Sequence, residues 1–326
     1  MRTHLPLALI AATFACSQFA CPAHATARDR VFVASYGNDS NPCTFLSPCK
    51  TFQQAVNIVA AGGEVTAIDS AGFGPISITQ SVTITSPDGV EAGIVPTTSG
   101  DAITINATSA VTVVLRGLTL NGSSVGANGI VFEGGGGGSL TVDNCVVQNF
   151  VGSGPNAGVG IVLEPSAGTL NFVITNTKIL NNSYSGFFYL PVNSPSISTN
   201  GVIDHVVAMG DDFAISINAE STSAVIAVSN SVISNNLADG VIISGSPTVS
   251  IDNDTISSNG NHGVEADGTS TVFIGRSVIT GNGALENGAG VIDSTSGNTV
   301  YTYGDNRING NTHDVVGTLS TTFTTR

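Results

Sequence analysis

The residues most able to do chemistry lie in the short segments GDDFAISI and NHGVE. The first contains the adjacent carboxyl groups of Asp211 and Asp212, and the second contains the imidazole of His262. A third acid, Asp239 in the segment ADGV, lies between them in the sequence. Carboxyl and imidazole groups are the ones that proteins use most for general acid–base catalysis. These four residues are therefore the candidate catalytic residues, provided that the fold brings them together.

A repeat of 23 to 32 residues organises the chain that must position them. The segments DNCVVQN, TNTKILNN, SNSVISNN and DNDTISSN share an Asn or Asp, an aliphatic residue three positions later and then another polar residue, usually Asn. The aliphatic positions predicted to align are Val147, Ile179, Val207, Ile233, Ile256, Ile279 and Ile308. Such a period indicates one structural unit stacked repeatedly along an axis.

Each unit also contains a run of alternating apolar positions, as in NGIVF, DGVII and AGVID. Alternation with period two predicts β-strands, and the intervals leave room for about three short strands and their turns, without a helix. Because the same positions recur in the same chain direction, each coil is expected to lie parallel on the previous one, roughly 4.8 Å away. The sequence thus predicts an all-β solenoid, a parallel β-helix with an aliphatic core.

The sequence allows two alignments of successive coils around the candidate site. Matching DDFAI to ADGVI by motif pairs Asp212 with Asp239, and stacks both with His262 in a polar groove. Matching by hydrophobicity places Phe213 beside Asp239 instead, and leaves a looser cluster at the turn. A shift of one residue reverses the facing of a strand. We expect the hydrophobic register, because burial of the core outweighs one outward contact.

The segment SPCKTFQQAVNIVAAGG predicts an amphipathic helix that covers the first coil. Ser47 can cap this helix, and Pro48 suits its first position. Phe52, Val56 and Val59 share one face at helical spacing, and the two glycines end the helix. Such a cap protects the open edge of a stacked solenoid. The C-terminal segment VVGTLSTTFTTR is the candidate cover for the other end.

The first 25 residues are predicted to be a cleavable signal peptide, with a basic start, an apolar run and the small residues Ala23 and Ala25 before the cut. The exported chain is then expected to be secreted or periplasmic. Residues 26–63 form the strand, disulfide loop and helix of the cap, and 64–326 form the coils of the same domain. No later stretch reaches some 18 apolar residues, so no membrane span is expected.

Three cysteines follow the predicted cleavage point. Cys43 and Cys49 flank TFLSP, and an oxidising compartment predicts a disulfide between them. Cys145 has no His close enough in sequence to activate it as a nucleophile, so we expect a packed thiol.

Charged residues make up only 10% of the chain, and the net charge is −14. So few cations cannot neutralise a run of phosphates, so nucleic acid is excluded as an expected partner. Polyanionic polysaccharides would also be repelled unless metal ions bridged the charges. No cofactor is predicted, although calcium could be held by acids among Asp252, Asp254, Glu265 and Asp267.

The opening RVFVASYGNDSNPCTFLSPCKTFQQAVNIVAAGGEVTAIDSAGFGPISITQSVTI is similar to the N-terminal entry of the pectate lyase–polygalacturonase superfamily, which are secreted right-handed parallel β-helix proteins. There too a strand and a short loop precede a capping helix and the first coil. The resemblance covers residues 30 to about 315 and implies a right-handed solenoid with polysaccharide or a cell-surface glycan as its partner. The superfamily contains lyases, hydrolases, epimerases, esterases and non-catalytic members, so it does not fix an activity.

The polygalacturonase motifs Asn-Thr-Asp, Asp-Asp, Gly-His-Gly and Arg-Ile-Lys are matched only in part. The corresponding triplets, in order, are Asn176-Thr177-Lys178, Gly210-Asp211-Asp212, Asn261-His262-Gly263 and Arg307-Ile308-Asn309. Only the Asp pair matches fully, and the resemblance carries the acid–base roles to Asp211 and Asp212. Lys178 and Arg307 fall in one column five coils apart, or about 24 Å, so they cannot hold one sugar ring.

Two functions stay open on the sequence. The first is an exported, carbohydrate-associated protein that binds glycans or serves a structural role, since Asp-Gly and His-Gly also suit the tight bend of each coil. The alternative is a polysaccharide-degrading enzyme, either a polygalacturonase-like hydrolase or a pectate-type lyase with Arg276 or Arg307 as its base. The aromatic residues of SYSGFFYL should divide between the core and a surface that could meet a sugar.

Overall fold

A computed structural model describes residues 28–152, 156–192, 196–220, 222–284, 287–295 and 297–321. The predicted signal peptide lies outside these residues. The described chain forms one short helix and 32 strands, all of which belong to a single parallel solenoid of about ten coils.

The elements of the N-terminal third are β1 (Arg28–Val33), α1 (Phe52–Ile58), β2 (Val59–Ala67), β3 (Ala71–Gly72), β4 (Ile76–Ile78), β5 (Val82–Thr85), β6 (Ala92–Ile94), β7 (Ile103–Ile105), β8 (Val111–Arg116), β9 (Leu118–Asn121) and β10 (Asn128–Phe132). The middle strands are β11 (Gly138–Asp143), β12 (Val146–Gln148), β13 (Val159–Leu163), β14 (Thr169–Thr175), β15 (Lys178–Leu180), β16 (Ser185–Tyr189), β17 (Ser198–Asp204), β18 (Val207–Met209), β19 (Phe213–Ala219), β20 (Ser223–Ser229) and β21 (Val232–Ser234). The last strands are β22 (Val241–Gly245), β23 (Thr248–Asp252), β24 (Thr255–Ser257), β25 (Val264–Ala266), β26 (Thr271–Gly275), β27 (Val278–Thr280), β28 (Ala289–Asp293), β29 (Thr299–Thr302), β30 (Arg307–Ile308), β31 (His313–Val316) and β32 (Leu319–Ser320).

These strands form three parallel sheets that wrap around one core. Sheet 1 contains β1, β2, β5, β8, β11, β14, β17, β20, β23, β26, β29 and β32 in spatial order. Sheet 2 runs from β3 to β30, and sheet 3 runs from β4 to β31, each taking every third strand of the chain. Each coil therefore passes through sheets 1, 2 and 3 in turn. The right-handed parallel β-helix expected from the sequence is confirmed.

The predicted aliphatic column runs through the short strands of sheet 2, with one correction. Val147, Ile179, Ile233, Ile256, Ile279 and Ile308 are vertical neighbours as expected. The fourth strand of the column places Ala208 between Ile179 and Ile233, whereas Val207 pairs with Lys178 and is only half-buried. The inward position before this strand is filled by the buried Val206. Period-two alternation then brings Ala208 into the core, so the sequence alignment was wrong by one residue there.

Single residues with positive φ make the bends between sheets. After sheet 1 they are Asn144, Asn176, His205, Asn230, Asn253 and Arg276, and after sheet 2 they include Asn149, Asn181, Gly210, Asn235 and Ser258. Asn and Gly tolerate this left-handed conformation better than other residues. The Asn-rich repeats of the sequence therefore mark the corners of the solenoid.

The helix that covers the first coil is shorter than predicted. It begins after Thr51, whose hydroxyl accepts the N–H of Gln54 at 3.2 Å, and ends at Ile58. Ser47 and Pro48 lie outside the helix, because Cys49 is held extended against β1 by backbone bonds to Phe32 and Ala34. The two glycines predicted to end the helix lie within β2. The buried face nevertheless contains Phe52 and Val56, as the helical spacing indicated, and Val59, which follows the helix as the first residue of β2, is buried too.

The predicted disulfide joins Cys43 to Cys49, whose Cα atoms lie 4.6 Å apart. It closes the loop between β1 and the helix, and this loop pairs with β1 at the edge of sheet 1, so the disulfide fixes the cap to that edge. Cys145 is a buried free thiol, as expected, and burial raises its pKa to about 12.

The C-terminal segment continues the solenoid instead of covering it. Its described residues form β31 and β32, the last strands of sheets 3 and 1. Along the described chain, no helix has the length and apolar character that crossing a bilayer would require.

Candidate functional site

The corner between sheets 2 and 3 holds the candidate residues, and the hydrophobic register applies there. Ile215 pairs with Val241, and Val241 pairs with Val264 on the next coil. Phe213 is therefore level with Asp239, and Asp239 is level with His262. Asp212 lies one position earlier, at the bend itself, and is half-buried. The polar groove of three directly stacked residues does not form, and the looser cluster does.

Asp211 lies apart from the other three, inside the solenoid. Its side chain occupies a column of asparagines, the Asn ladder, in which each side-chain oxygen accepts from the preceding coil. The ladder contains Asn182, Asp211, Asn236, Asn259, Asn282 and Asn311. Oδ1 of Asp211 accepts the backbone N–H and the Nδ2 group of Asn182 at 2.7 and 2.9 Å. The Asp211 side chain is 0% exposed, so it does not reach the surface on which a ligand would bind.

The second oxygen of Asp211, Oδ2, is buried without a hydrogen-bond partner. At the equivalent place in the ladder, Nδ2 of Asn259 donates both to Oδ1 of Asn282 and to the carbonyl of Ile233. Acceptors therefore surround the position that Oδ2 occupies, and a carboxylic acid fits there where a carboxylate does not. Burial accordingly raises the pKa of Asp211 to about 7.

Asp239 and His262 are joined through backbone groups of successive coils. Oδ1 of Asp239 accepts the N–H of His262 at 2.7 Å, and Nδ1 of His262 accepts the N–H of Ala289 at 2.9 Å. Both side chains are nearly covered, with 2% and 8% exposed. A ring nitrogen that accepts carries no hydrogen, so neutral His262 holds its proton on Nε2. His262 is therefore placed as a hydrogen-bond donor to the cluster.

Glu265 completes the acid–His cluster, which we define as Asp212, Asp239, His262 and Glu265. It projects outward from β25, and one oxygen or nitrogen atom of each of Asp239, His262 and Glu265 lies within 4.8 Å of the others. Desolvation raises the pKa of Glu265 to about 7, and the neighbouring Asp239 adds to the effect. Desolvation also raises the pKa of Asp212 and of Asp239 and lowers that of His262. The cluster therefore disfavours charge of either sign on its own side chains.

The cluster offers oxygen ligands to a metal ion more readily than nitrogen. Ligation through Nε2 of His262 would move its proton to Nδ1, which faces the N–H of Ala289. The carboxylates of Asp239 and Glu265 keep free lone pairs, and oxygen is the ligand that calcium prefers. Of the other acids considered for calcium, Asp252 pairs with Arg276 and Asp254 is buried in a turn, whereas Asp267 lies close enough to Glu265 to add to the rise in its pKa.

An aromatic wall lies beside the cluster on the outer face of sheet 3. It consists of Tyr184, Phe188 and Phe213, with ring centroids 5.7 and 5.8 Å from that of Tyr184. Together with Ser216 and Ile242 these rings line a cavity of about 140 Å³. The expected division of SYSGFFYL is confirmed in part. The two other rings of the segment point into the core, but Phe188 on the outer face is also nearly covered, with 7% exposed, and of the four rings only Tyr184 is exposed.

A single outward column connects the aromatic wall to the cluster. Phe188, Ser216, Ile242 and Glu265 succeed one another on four adjacent coils of sheet 3. The outer face of sheet 3 is thus apolar and aromatic at one end and acidic at the other. We call this surface the site face.

The solenoid is similar to the crystal structures of an alginate lyase and a pectate lyase. The alginate lyase, from Paenibacillus sp. str. FPU-7, is 14% identical, with a TM-score of 0.63 over 89% of this chain and 99% of that chain. Pectate lyase Pel9A is 16% identical, with a TM-score of 0.50 over 90% of this chain and 78% of that chain. The chain shares their fold. No family model and no curated protein matches the sequence, so the likeness concerns architecture alone.

The four partial polygalacturonase motifs do not meet at the site face. Asp212 and His262 lie at the corner of sheets 2 and 3, whereas Lys178 and Arg307 lie on sheet 2 in one column, five coils apart as expected. Arg276 forms an ion pair with Asp252 at the end of sheet 1. The basic residues considered for a lyase are therefore distant from the acid–His cluster.

A larger cavity of about 490 Å³ lies on the outer face of sheet 1. Valine, serine, threonine and asparagine side chains line it, and none of its lining residues is charged. This surface offers no group for acid–base chemistry.

Sequence reasoning missed the part that Glu265 and Phe213 play at the site face. Glu265 was considered only as a calcium ligand, and Phe213 only as a marker of register. The available signal was the alternation of inward and outward positions along VEA and along the strands that contain Ile242 and Ile292. It places Glu265 in an outward-facing column with these two residues of the adjacent coils. That signal needed the coil-to-coil register before it could be used.

Proposed function

We propose that the chain is a carbohydrate-binding β-helix protein whose ligand lies along the site face. The observation that carries the proposal is the aromatic wall beside the acid–His cluster on one outer column of sheet 3. Pyranose rings have apolar C–H faces that pack on aromatic rings, and their hydroxyl groups pair with carboxyl and imidazole groups. The fold of the alginate and pectate lyases is compatible with this proposal.

The test is binding of the purified protein to a glycan array, followed by calorimetry with the best ligand. Phe213→Ala and Tyr184→Ala remove two rings of the aromatic wall, and each should weaken binding about tenfold. Val225→Ala on the rival cavity of sheet 1 is the matched control and should leave affinity unchanged. A loss of affinity in the Val225 variant alone would move the binding site to sheet 1. Absence of binding to every glycan would reject the proposal.

Hydrolysis of a glycan at the same face is the second candidate, and one observation favours it. Glu265, with a pKa raised to about 7, can keep a proton for a leaving oxygen while Asp212 or Asp239 acts as the base. Under this hypothesis reducing ends appear on incubation with a glycan that binds. Glu265→Gln should lower kcat about 100-fold or more, whereas the exposed, distant Asp88→Asn should not change it. Binding without any release of reducing ends would leave only the first proposal.

We also propose that the chain is exported through its N-terminal segment. The disulfide between Cys43 and Cys49 supports an oxidising compartment. Expression of the full chain in a bacterial host should yield an extracytoplasmic product whose first residue is Thr26. A product that keeps residues 1–25, found in the cytoplasm with free thiols at Cys43 and Cys49, would contradict this.

A further inference from the structure

We infer that the site face selects cationic glycans, with the ammonium group of an amino sugar placed beside Asp212 and Glu265, the two partly exposed carboxyl groups next to the buried Asp239. This inference rests on the proposed function and narrows its ligand class. It departs from the polyanions named for the two similar lyases, alginate and pectate, whose carboxylates would meet carboxyl groups here.

The distribution of charge along the chain is the first reason. Residues 179–275 contain no Lys or Arg, but they contain nine Asp and Glu residues, all of which except Asp211, Asp239 and Asp254 are at least partly exposed. These residues form the coils that carry the aromatic wall and the acid–His cluster. Among the described residues, the cations nearest in sequence are Lys178 and Arg276, which lie on sheet 2 and at the end of sheet 1. A surface of one sign raises the local concentration of ligands of the other sign.

The second reason is that the cluster contains no counter-ion of its own. Nδ1 of His262 accepts the N–H of Ala289, so that nitrogen carries no hydrogen and the ring bonded in this way is neutral. Asp239 therefore lies close to both Asp212 and Glu265, and His262 supplies no positive charge to this group of acids. Carboxyl groups in such a setting hold protons more tightly, and an ammonium group that supplies the missing charge releases them.

The third reason is the position of the aromatic wall. Phe213 is level with Asp239 on the neighbouring coil, and it packs against Tyr184. Coils are spaced about 4.8 Å apart, close to the length of one pyranose unit. A sugar ring stacked on Phe213 or Tyr184 therefore brings the amino group of a neighbouring unit toward Asp212 and Glu265.

The experiment compares two ligands that differ only at carbon 2, the β-1,4-linked hexamers of glucosamine and of glucose. Calorimetry at about pH 6 should show that the glucosamine hexamer binds about tenfold tighter or more. Its affinity should fall as salt is added, whereas that of the glucose hexamer should not. Repeating the titration in two buffers of different ionisation enthalpy should show proton release with the cationic ligand only.

Variants locate the effect. Glu265→Gln removes one carboxyl group at nearly constant shape and should reduce the preference for the glucosamine hexamer about fivefold. Asp88→Asn changes the net charge by the same amount on an exposed turn distant from sheet 3 and should leave the preference unchanged. If both variants reduce it equally, the selectivity belongs to the overall charge and not to this cluster, and the inference fails.

Two other results would overturn the inference while leaving the proposed function standing. One is equal or tighter binding of the glucose hexamer at the site face. The other is tighter binding of a galacturonate oligomer when calcium is present, which would assign Asp239 and Glu265 to a bridging ion. Absence of binding to any of these ligands, and to every glycan of the array, would reject the proposed function itself.

Discussion

At the scale of single residues, Asp211 shows that the Asn ladder can include an acidic residue without forming a functional site. Its neighbours in the Asn ladder are amides that donate and accept, and the carboxylic acid is the only form of Asp that can do the same. The adjacent Gly186 leaves room for Oδ2, since a Cβ atom there would lie 2.6 Å from it. Gly160, Gly240 and Gly263 stand in the same relation to the Nδ2 groups of the ladder. The surroundings of the Asp211 side chain therefore suit an asparagine or a carboxylic acid better than a carboxylate.

Asp211→Asn should stabilise the protein above neutral pH. The pKa of Asp211 is about 7 in the folded chain and near 4 when unfolded, so the folded state binds the extra proton. The free energy of unfolding therefore falls as pH rises from about 4 to about 7 and is level above that. The variant does not titrate, and it should be more stable by on the order of 3 kcal/mol at pH 8 but similar at pH 4.

Urea unfolding of both proteins at the two pH values measures this difference. Asp254 and Glu265 have pKa values raised in the same direction, so the variant should keep part of the pH dependence. A variant that is equally or less stable at pH 8 would show that Asp211 is ionised in the folded state at little cost.

At the scale of elements, the Asn ladder and the residues at the bends have different roles at each corner of the solenoid. Residues with positive φ turn the chain, and the inward residue that follows bonds its amide to the coil on either side. The three-residue strands of sheet 2 have too few backbone bonds to fix their own register. Side-chain bonds of the ladder add a constraint at the corner, so ladder and buried aliphatic columns together set how coils stack.

Asn259→Ala should test the contribution of one ladder residue. The change removes an acceptor from the N–H and Nδ2 groups of Asn236, which leaves the N–H buried without a partner and Nδ2 with only its 3.4 Å bond to the carbonyl of Ala208. We expect a loss of about 2–4 kcal/mol in the free energy of unfolding, measured with urea. Asn171→Ala is the matched control, because it removes a bond from Asn200 on an exposed face and should cost about 0.5 kcal/mol or less. Equal losses in both variants would contradict a special role for the ladder.

The same corners explain how far the sequence could be interpreted. Alternation and the repeat predicted the all-β solenoid, the column of sheet 2 and the hydrophobic register at Ile215, because burial of aliphatic side chains decides them. They did not predict which side of the chain the residue after a bend would face. The positions expected for Val207 and Asp211 were wrong for this reason. A residue with left-handed backbone precedes each of the two segments and changes which residues of the segment face the core. The start of the helix was missed because the disulfide loop pairs with β1, a contact distant in sequence.

At the scale of the whole molecule, each coil contacts chiefly the coils above and below it. Intervals of 23 residues separate Ile233, Ile256 and Ile279, and the pairings of their strands are identical. Stability in such a solenoid is approximately a sum over coils and their interfaces. Core columns, ladder and bends repeat together, so the unit of the fold is one complete coil.

Deletion of residues 253–275 should therefore yield a folded, shorter solenoid. The deletion removes one coil of 23 residues and joins Asp252 to Arg276, which has the same left-handed backbone as Asn253. Circular dichroism and urea unfolding should show β-structure and a cooperative transition, with glycan binding lost together with His262 and Glu265. Deletion of 254–275 keeps one extra residue, shifts the facing of the next strand and should prevent folding. If both deletions behave alike, coils are not the independent units described here.

The Asn ladder has a direction, and that direction gives the solenoid an electrical polarity. In every step the N–H of one coil donates to the oxygen of the next, so all of these small dipoles point the same way along the axis. At the last step both donors of Asn311 meet the carboxyl oxygen of Asp314. An anion thus terminates the positive end of the aligned dipoles, as an acidic residue does at the N-terminus of an α-helix.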